Sequence, residues 1–501
     1  MLRVRDETSR VIDRARASKT SRMVAASNRL PPSTKSSVPS GLSSVGDTIP
    51  PDSFHVVSIL SGPPAPSESL RELGTSYFLA NYVLAGSGPS SGFLSYTKNV
   101  LADGVGDHEL VQVAIRAVGL AGIASTTGTD SILYQARASY ADAIRRINAA
   151  LMDPRQARKD STIFAVMALS LFETITCSDS NSMEAWRNHI NGAANLLMHR
   201  GATQLRSPQG LRIFGETISH IITLCSRYNH PVPSPLRRLR VEIERQLPRK
   251  SPSWIVATAH VDLLDLQQAI KPEQDTACLP DEWETILAQA VALDQRLDTL
   301  IADLPTPWHF KIVNDPTANP RVVYHGTYHI YYSTWIAKIW DALRACRIFV
   351  NQAIYCLLLR EAGMWAPHLV SPDGGVYAPL LQQVSDTTAE MRDGILASVP
   401  QMTGFVQHDV ATGASYLDCS SAGMPRRVPA SGPYFLLWFL FLAGSLLMNP
   451  PETRDWVVDR LREIRSATGI QKAGYLADLL EKYHGFRSVA LPASVFLIPR
   501  I

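Results

Sequence analysis

The stretch SILYQARASYADAIRRINAALMDP, at residues 131–154, shows most clearly how this chain folds. Its apolar side chains recur every three or four residues, the spacing that places them on one face of an α-helix. They are Leu133, Ala136, Tyr140, Ile144, Ile147 and Leu151. Asp130 or Ser131 is a suitable N-cap, and Pro154 cannot continue a helix. The pattern therefore predicts an amphipathic helix that buries one face.

Helical spacing continues along most of the chain on both sides of this stretch. The predicted helices include one capped by Asp107, Asp160–Thr176, Glu184–Arg200, one from Pro280-Asp281 to before Pro305, Thr327–Leu359, Asp455–Thr468 and Gln471–Tyr483. Gly201 follows Glu184–Arg200 at the position where a C-cap glycine is typical. Strand-like runs are rare, and the candidates are His55–Leu60 and Val495–Ile498. The sequence therefore predicts an all-α protein with one large multi-helix domain.

The composition is that of an ordinary globular protein. The chain has 501 residues, of which 46% are hydrophobic and 19% are charged, and its formal net charge is +3. These values exclude disordered, collagen-like and coiled-coil chains. The six cysteines are spread from Cys177 to Cys419 without a C-x-x-C pair, which argues against a local zinc ribbon and a disulfide scaffold. We expect free thiols in a reducing compartment.

The first 69 residues differ from the rest of the chain. Residues 1–30 form a basic arm, and residues 31–69 are a linker rich in proline and serine, a composition that cannot pack a core. We therefore expect the helical domain to span residues 70–490, with a short C-terminal tail at residues 491–501.

Few residues suggest catalysis or metal binding. The segment Gly88-Pro89-Ser90-Ser91-Gly92 is formally a G-x-S-x-G motif, but a nucleophile elbow needs a strand before its serine, and the residues before it have a helical pattern. A surface loop is the favoured interpretation, and a helical hydrolase that uses Ser90 is the weaker one. His325 and His329 would share a helix face and could hold a metal. No third ligand is near them in the sequence, so aromatic packing is favoured.

The apolar run Gly432–Met448 is at the lower limit of length for a membrane-spanning helix. Pro433 lies at its start, and Asn449-Pro450-Pro451 ends it. A single short run of this kind in an otherwise soluble-looking chain favours a buried core helix, and we expect no membrane partner.

Four segments, in order, carry a resemblance to a known family. They read WRNHINGAANLLMHRG at 186–201, YHIYYSTWIAKIWDALRACRI at 328–348, FLLWFLFLAGS at 435–445 and RDWVVDRLREIRSATGIQKA at 454–473. Together they resemble the fungal-specific transcription factor regulatory domain of zinc binuclear-cluster (Zn2Cys6-type) transcription factors. The family often has Asn where this chain has Asp341.

The residues that carry the resemblance are expected to be structural rather than catalytic. Trp186, His189 and Ala193 fall on one helical side, and Gly192 and Ala193 would let another helix approach closely. We therefore expect no enzyme activity, no cofactor and no metal site in this chain. We call the following the signature residues: Trp186, His189, Gly192, Arg200, Gly201, Trp335, Trp340, Arg344, Arg347 and Trp438.

The N-terminus resembles the segment that follows the zinc cluster in the same family. Val4-Arg5-Asp6-Glu7-Thr8 is similar to the continuation after the last cysteine of that cluster. The resemblance implies a cluster just upstream, and two explanations stay open: a first exon omitted from the gene model, or a cluster-free protein. Zinc and direct reading of DNA are expected only in the first case.

The basic arm could make weak, salt-sensitive contacts with DNA phosphates. An equally good interpretation is a solvated basic helix or a nuclear-import signal. The residues concerned are Arg3, Arg5, Arg10, Arg14, Arg16, Lys19 and Arg22.

The resemblance implies a fungal transcriptional regulator in the nucleus, or its regulatory and dimerising portion. Such a protein would control a metabolic gene set, for example a secondary-metabolite biosynthetic gene cluster. Its expected partners are DNA, the transcription machinery or its co-regulators, and a second chain in a homodimer or heterodimer. An alternative is a cluster-free interaction protein that forms heterodimers with intact family members.

Overall fold

The computed structural model describes residues 67–86, 88–89, 92–102, 105–228, 230–246, 250–270, 282–361, 377–408, 415–418 and 429–482. Helices make up 80% of the structure, so the all-α prediction is confirmed. The basic arm, most of the linker and the C-terminal tail lie outside the described residues. So do both strand candidates, His55–Leu60 and Val495–Ile498.

Seven helices form the first part of the described fold. They are α1 Ser67–Tyr82, α2 Thr97–Ala102, α3 Val105–Thr127, α4 Asp130–Met152, α5 Asp160–Thr176, α6 Ser180–Arg200 and α7 Pro208–Tyr228. Helix α3 packs against α1, α4 and α5, and α6 packs between α5 and α7. The predicted span of α5 is confirmed, whereas the N-cap position of α4 is occupied by Thr129. Helix α6 starts earlier than predicted because Asp179 accepts a 2.9 Å hydrogen bond from Ser182 N and caps it.

Eight further helices follow. They are α8 Ser234–Gln246, α9 Pro252–Ile270, α10 Trp283–Ala302, α11 Thr334–Glu361, α12 Ala378–Met402, α13 Ser431–Ser445, α14 Pro451–Thr468 and α15 Gln471–Lys482. The predicted start of α10 at Pro280-Asp281 lies outside the described residues. Helix α14 begins at Pro451 rather than at Asp455, since proline is favoured in the first turn of a helix.

Two short antiparallel hairpins interrupt the helical pattern. Strand β1 (Lys311–Asn314) pairs with β2 (Thr327–Ile330), with Lys311 opposite Ile330. Strand β3 (Val406–His408) pairs with β4 (Ser415–Leu417). The sequence did not indicate these strands.

The predicted helix over Thr327–Leu359 is wrong at its N-terminal end, because residues 327–330 are β2 and α11 starts at Thr334. His325 (φ 49°) and Gly326 (φ 70°) have left-handed backbones, which a right-handed helix cannot contain. His325 and His329 therefore do not share a helix face. Within the described ranges, no group of three or more His, Cys, Asp or Glu side chains is placed to hold a metal ion.

Helix α13 lies at the centre of the later helices and contacts α11, α12, α14 and α15. Leu436, Leu440 and Phe441 are fully enclosed, so the apolar run Gly432–Met448 supplies a buried core helix, as predicted. By length and composition alone, one described helical segment, His108–Thr127 in α3, could cross a membrane, whereas Ser431–Ser445 is shorter than the test requires. Inside the fold, 72% of that apolar window is buried.

Glycine has different roles at two helix contacts. A Cβ atom at Gly119 of α3 would lie 1.8 Å from the carbonyl oxygen of Gly74 in α1, so only hydrogen fits there. At Gly192 of α6, the nearest atom to an added Cβ is Val166 Cγ1, 4.0 Å away. The expectation that Gly192 admits a closely approaching helix is therefore wrong, because the space there accepts a methyl group.

Candidate functional site

The first signature segment places His189 in a buried polar triad. The hydroxyl of Tyr140 lies 2.6 Å from Glu173 Oε1 and 2.9 Å from His189 Nε2. Burial lowers the pKa of His189 to about 4, so the imidazole is neutral at pH 7 and its 4.0 Å approach to Glu173 is not an ion pair. The hydroxyl proton of Tyr140 is donated to the Glu173 carboxylate, so the Tyr140 oxygen accepts a hydrogen bond from His189 Nε2. The triad ties α4, α5 and α6 together.

Arg200 and Gly201 form the end of the same segment. The Arg200 guanidinium pairs with Asp160 Oδ1, and the other Asp160 oxygen accepts a 2.8 Å hydrogen bond from Gln209. Gly201 has φ 58°, and its N–H donates to the Leu197 carbonyl. These contacts fix the end of α6 against α5 and α7.

Arg344, in the second signature segment, lies within a buried network. Its Nη1 donates to the Tyr331 hydroxyl (2.6 Å) and to Asp341 Oδ1 (2.9 Å). Its Nη2 lies 3.2 Å from Nδ1 of His329, whose pKa burial lowers to about 3. Ser398 donates to the second Asp341 oxygen at 2.8 Å. Asp341, where the family often has Asn, thus balances the charge of a buried guanidinium.

Arg347 binds α11 to α10. Its Nε and Nη2 donate to the two oxygens of Asp294 at 2.9 and 3.0 Å, and its Nη1 donates to Asp298 at 2.7 Å. Such two-pronged pairing is the strongest geometry for arginine and a carboxylate. Trp340 Nε1 donates to the Trp308 carbonyl at 2.7 Å. The polar groups of these two signature residues are therefore used in holding neighbouring segments to α11.

The other three signature tryptophans stand beside two lysines. Lys338 Nζ lies 4.4 Å from the ring centre of Trp335. Lys472 Nζ lies 4.8 Å from the ring centre of Trp186 and 5.6 Å from that of Trp438. Cation–π attraction of this kind stabilises ammonium groups that have lost part of their hydration. The five residues come from α6, α11, α13 and α15, so distant parts of the chain converge here.

A cluster of half-buried polar and aromatic side chains lies where these helices face α7. We name it the central cleft and define it by Glu216, His220, Lys338, Tyr434 and Trp438. All five are half-buried, although α7, α11 and α13 each pack against several other helices. Glu216 and His220 are four residues apart on α7, as are Tyr434 and Trp438 on α13, so each pair faces one way. Each of these side chains therefore keeps part of its surface accessible to water.

Glu216 and Lys338 are the opposite charges of this cleft. Glu216 accepts hydrogen bonds from Leu94 N and from the Tyr96 hydroxyl, both at 2.9 Å. Burial raises the pKa of Glu216, and these hydrogen bonds and the Lys338 charge oppose the change. Burial lowers the pKa of Lys338, and the Glu216 charge opposes it. Each group therefore favours the charged form of the other.

His220 lies within the field of both lysines. Burial, together with the positive charges of Lys338 and Lys472, lowers the pKa of His220 to about 3. The imidazole is therefore neutral at pH 7, with one donor and one acceptor nitrogen. The cleft thus joins ammonium, carboxylate, imidazole and phenol groups to indole rings, a lining suited to binding a small molecule.

A second, more open depression of about 480 Å³ lies beside Tyr331. Thr306, Pro307, His309, Lys311, Ile330, Tyr332 and Ser415 form the rest of its lining. Lys311 and Tyr332 are exposed, so this depression is open to solvent.

The family model of the fungal specific transcription factor domain matches residues 77–228. The chain carries a fungal transcription factor regulatory domain. The match contains the first of the four segments, at 186–201, and confirms the resemblance to this family at residues 77–228. The domain family is one of transcription factors rather than enzymes. No curated protein and no solved structure gives a significant match.

The matched part of the regulatory domain runs from within α1 to the end of α7. It supplies Trp186, Glu216 and His220, and the opposite wall of the cleft comes from α11, α13 and α15. Sequence reasoning identified the tryptophans but missed Glu216, His220, Lys338 and Lys472. One signal was present: Lys338 interrupts the apolar run Trp335–Trp340.

Other predicted sites of the regulatory domain lie outside the described residues. Ser90 is one of them, and the phosphate contacts are the others: Arg3, Arg5, Arg10, Arg14, Arg16, Lys19 and Arg22. Four of the six cysteines are described, and all four are buried; they are Cys177, Cys225, Cys346 and Cys356.

Proposed function

We propose that this chain is the regulatory and dimerising portion of a fungal transcriptional regulator that controls a metabolic gene set, for example a secondary-metabolite biosynthetic cluster. The match of residues 77–228 to the transcription factor domain carries the proposal. Membership of this class suggests the nucleus as the site of action, and DNA and the transcription machinery as general partners.

The packing of the helices supports a regulatory role. One continuous core of buried side chains runs from α1 to α15, so the family-matched helices and the later helices share it. A change at the central cleft would therefore act on both α7 and α11. In this mechanism, the helical domain presents surfaces to co-regulators and restrains or releases an activation function.

Recognition of DNA would need a further element. The four described cysteines are buried, and no group of three or more potential metal ligands occurs among the described residues, so these cysteines do not form a zinc cluster. We propose that DNA is reached through a zinc cluster joined to the basic arm or, as the alternative, through an intact family member in a heterodimer. In both arrangements, the arm would add salt-sensitive phosphate contacts.

Deletion of the gene followed by transcriptome sequencing tests the regulatory role. We expect a defined group of metabolic genes to change several-fold and to return to wild-type expression when the gene is restored. A restored copy with an early frameshift is the matched control. An unchanged transcriptome in cells that normally make the protein would contradict the proposal.

Sequencing of transcripts across the codon of Met1 separates the two routes to DNA. Reads that join an upstream exon with six clustered cysteines to the codons for Leu2 and Arg3 would establish the direct route. Transcripts that begin cleanly at Met1 would instead favour the heterodimer, which affinity purification from nuclear extract should then recover with an intact family member.

A further inference from the structure

Several polar groups of the central cleft have no protein partner. Among the described residues, the side chains of Lys338, His220 and Tyr434 make no hydrogen bond. The indole N–H of Trp335, beside Lys338, is buried and also has no acceptor in the described part of the chain. Unpartnered donors in a desolvated place cost free energy, which water or a ligand would recover.

Donors outnumber open acceptors in this lining. The Lys338 ammonium has three N–H groups and the Tyr434 phenol has one O–H group. The Glu216 carboxylate already accepts from Leu94 and Tyr96, one bond to each oxygen. A ligand that brings hydrogen-bond acceptors therefore complements the cleft.

Two lysines act on His220 in the central cleft. The two charges that act on this imidazole are Lys338 and Lys472, and both are positive. The Glu216 carboxylate is itself offset by Lys338 and Arg212. A negative group on a ligand would be attracted to this place, and a positive group would be repelled.

The remaining walls of the cleft are flat and apolar. Tyr434 and Trp438 are half-buried on one face of α13, and the Trp335 ring packs edge-on against Phe435 at 6.2 Å. Aromatic walls of this kind favour planar rings, which they can contact by offset stacking or edge-to-face packing.

We propose that the central cleft binds a small organic anion with a planar aromatic ring system. Its anionic group lies at Lys338, the Tyr434 hydroxyl is its second donor, and its ring packs against Trp438. The assignment of this ligand as an effector rests on the proposed function, whereas its binding does not. A ligand held between α7 and α11 would favour the arrangement of the two helices that it contacts best, and so would shift the domain between states.

Two fluorescent probes test the binding with the full chain. 1-Anilinonaphthalene-8-sulfonate is a planar aromatic anion, and N-phenyl-1-naphthylamine is its uncharged analogue. We expect the wild-type protein to bind the anion at one site per chain and more tightly than the analogue.

Lys338→Met should weaken binding of the anion about 10-fold, the usual cost of one charge-assisted hydrogen bond, and leave binding of the analogue within about 2-fold. Lys482→Met removes an exposed lysine of α15 and should leave the binding of both probes unchanged. Tyr434→Phe removes only a hydroxyl oxygen. It should weaken binding of the anion about 3-fold, and it supplies the test if Lys338→Met does not fold.

Three results would overturn the proposal. They are no saturable binding of the anion to the wild type, equal binding by wild type, Lys338→Met and Tyr434→Phe, or a parallel loss of both probes in the cleft variants. A failure of this kind would leave the transcriptome prediction standing. Conversely, an unchanged transcriptome beside Lys338-dependent anion binding would remove the regulatory role and leave the site.

Discussion

Gly119→Ala should destabilise the domain, because the α1–α3 contact has no room for a side chain. The added Cβ atom would lie 1.8 Å from the Gly74 carbonyl oxygen, 2.6 Å from its carbonyl carbon and 3.1 Å from its Cα atom. Carbon–oxygen contacts are normally about 3.3 Å or longer, so the helices would have to separate by about 1.5 Å. These are backbone atoms of a helix, which cannot rotate away as a side chain can.

The size of the effect follows from two opposing contributions. Overpacking a well-packed contact costs up to about 3 kcal/mol, and sometimes more. Replacing glycine by alanine inside a helix recovers about 1 kcal/mol. We therefore expect Gly119→Ala to lower the free energy of unfolding by about 2 kcal/mol. The same substitution at Gly192, where the nearest atom is 4.0 Å away, should raise it by up to about 1 kcal/mol.

Thermal unfolding followed by far-ultraviolet circular dichroism measures the difference. At about 2 °C per kcal/mol for a large domain, Gly119→Ala should lower the Tm by about 4 °C and Gly192→Ala should raise it by about 2 °C. If the Gly119→Ala protein is insoluble while the Gly192→Ala protein is soluble, the result also agrees with a clash at the α1–α3 contact. Equal Tm shifts for the two variants, or a Gly119→Ala protein as stable as wild type, would refute it.

Three further substitutions test other parts of the structure. Arg347→Met leaves the Asp294 carboxylate of α10 without its cationic partner, although Asn351 still donates to it, and should cost about 3 kcal/mol in urea unfolding, whereas the exposed pair removed by Arg462→Met should cost less than about 1 kcal/mol. Burial holds the folded pKa of His189 at about 4, below the unfolded value of 6.5. The stability it contributes is complete above pH 6.5 and is lost towards pH 4. In His189→Gln, the free energy of unfolding should fall by up to about 3 kcal/mol less than in wild type between pH 6.5 and pH 4. Urea midpoints at the two pH values measure this difference. Gly201→Ala, at φ 58° in open space, should lower the Tm through backbone strain alone, while Gly215→Ala, within α7 and equally open, should not.

The helices could be predicted from the sequence because their signal is local. Apolar residues recur with helical spacing through α4 and α5, and proline or glycine marks several helix ends. Strand β2 was missed because the aromatic residues from Tyr328 to Trp335 recur every three or four residues, the spacing of a helix face, and lead directly into α11. The left-handed backbone at His325, which separates the two, has no clear signal in a single sequence.

The central cleft could be predicted only in part. Trp186, Trp335 and Trp438 lie in segments that resemble the family, so the sequence marked them, but it assigned them to packing. Glu216, Lys338 and Lys472 are far apart in the chain and meet only through the packing of α7, α11 and α15. The periodicity and spacing of a sequence do not indicate which distant residues come together, because this depends on the tertiary arrangement of helices that have similar local sequence patterns.

A tethered reporter tests most directly the claim that this chain regulates transcription. The chain is fused to an unrelated DNA-binding domain and directed to a promoter of intermediate strength in a fungal host, so that activation and repression are both visible. We predict that reporter expression changes several-fold relative to the DNA-binding domain alone, and that Lys482→Met behaves as wild type. Expression equal to that of the DNA-binding domain alone, with the fusion protein intact in the nucleus, would contradict the account.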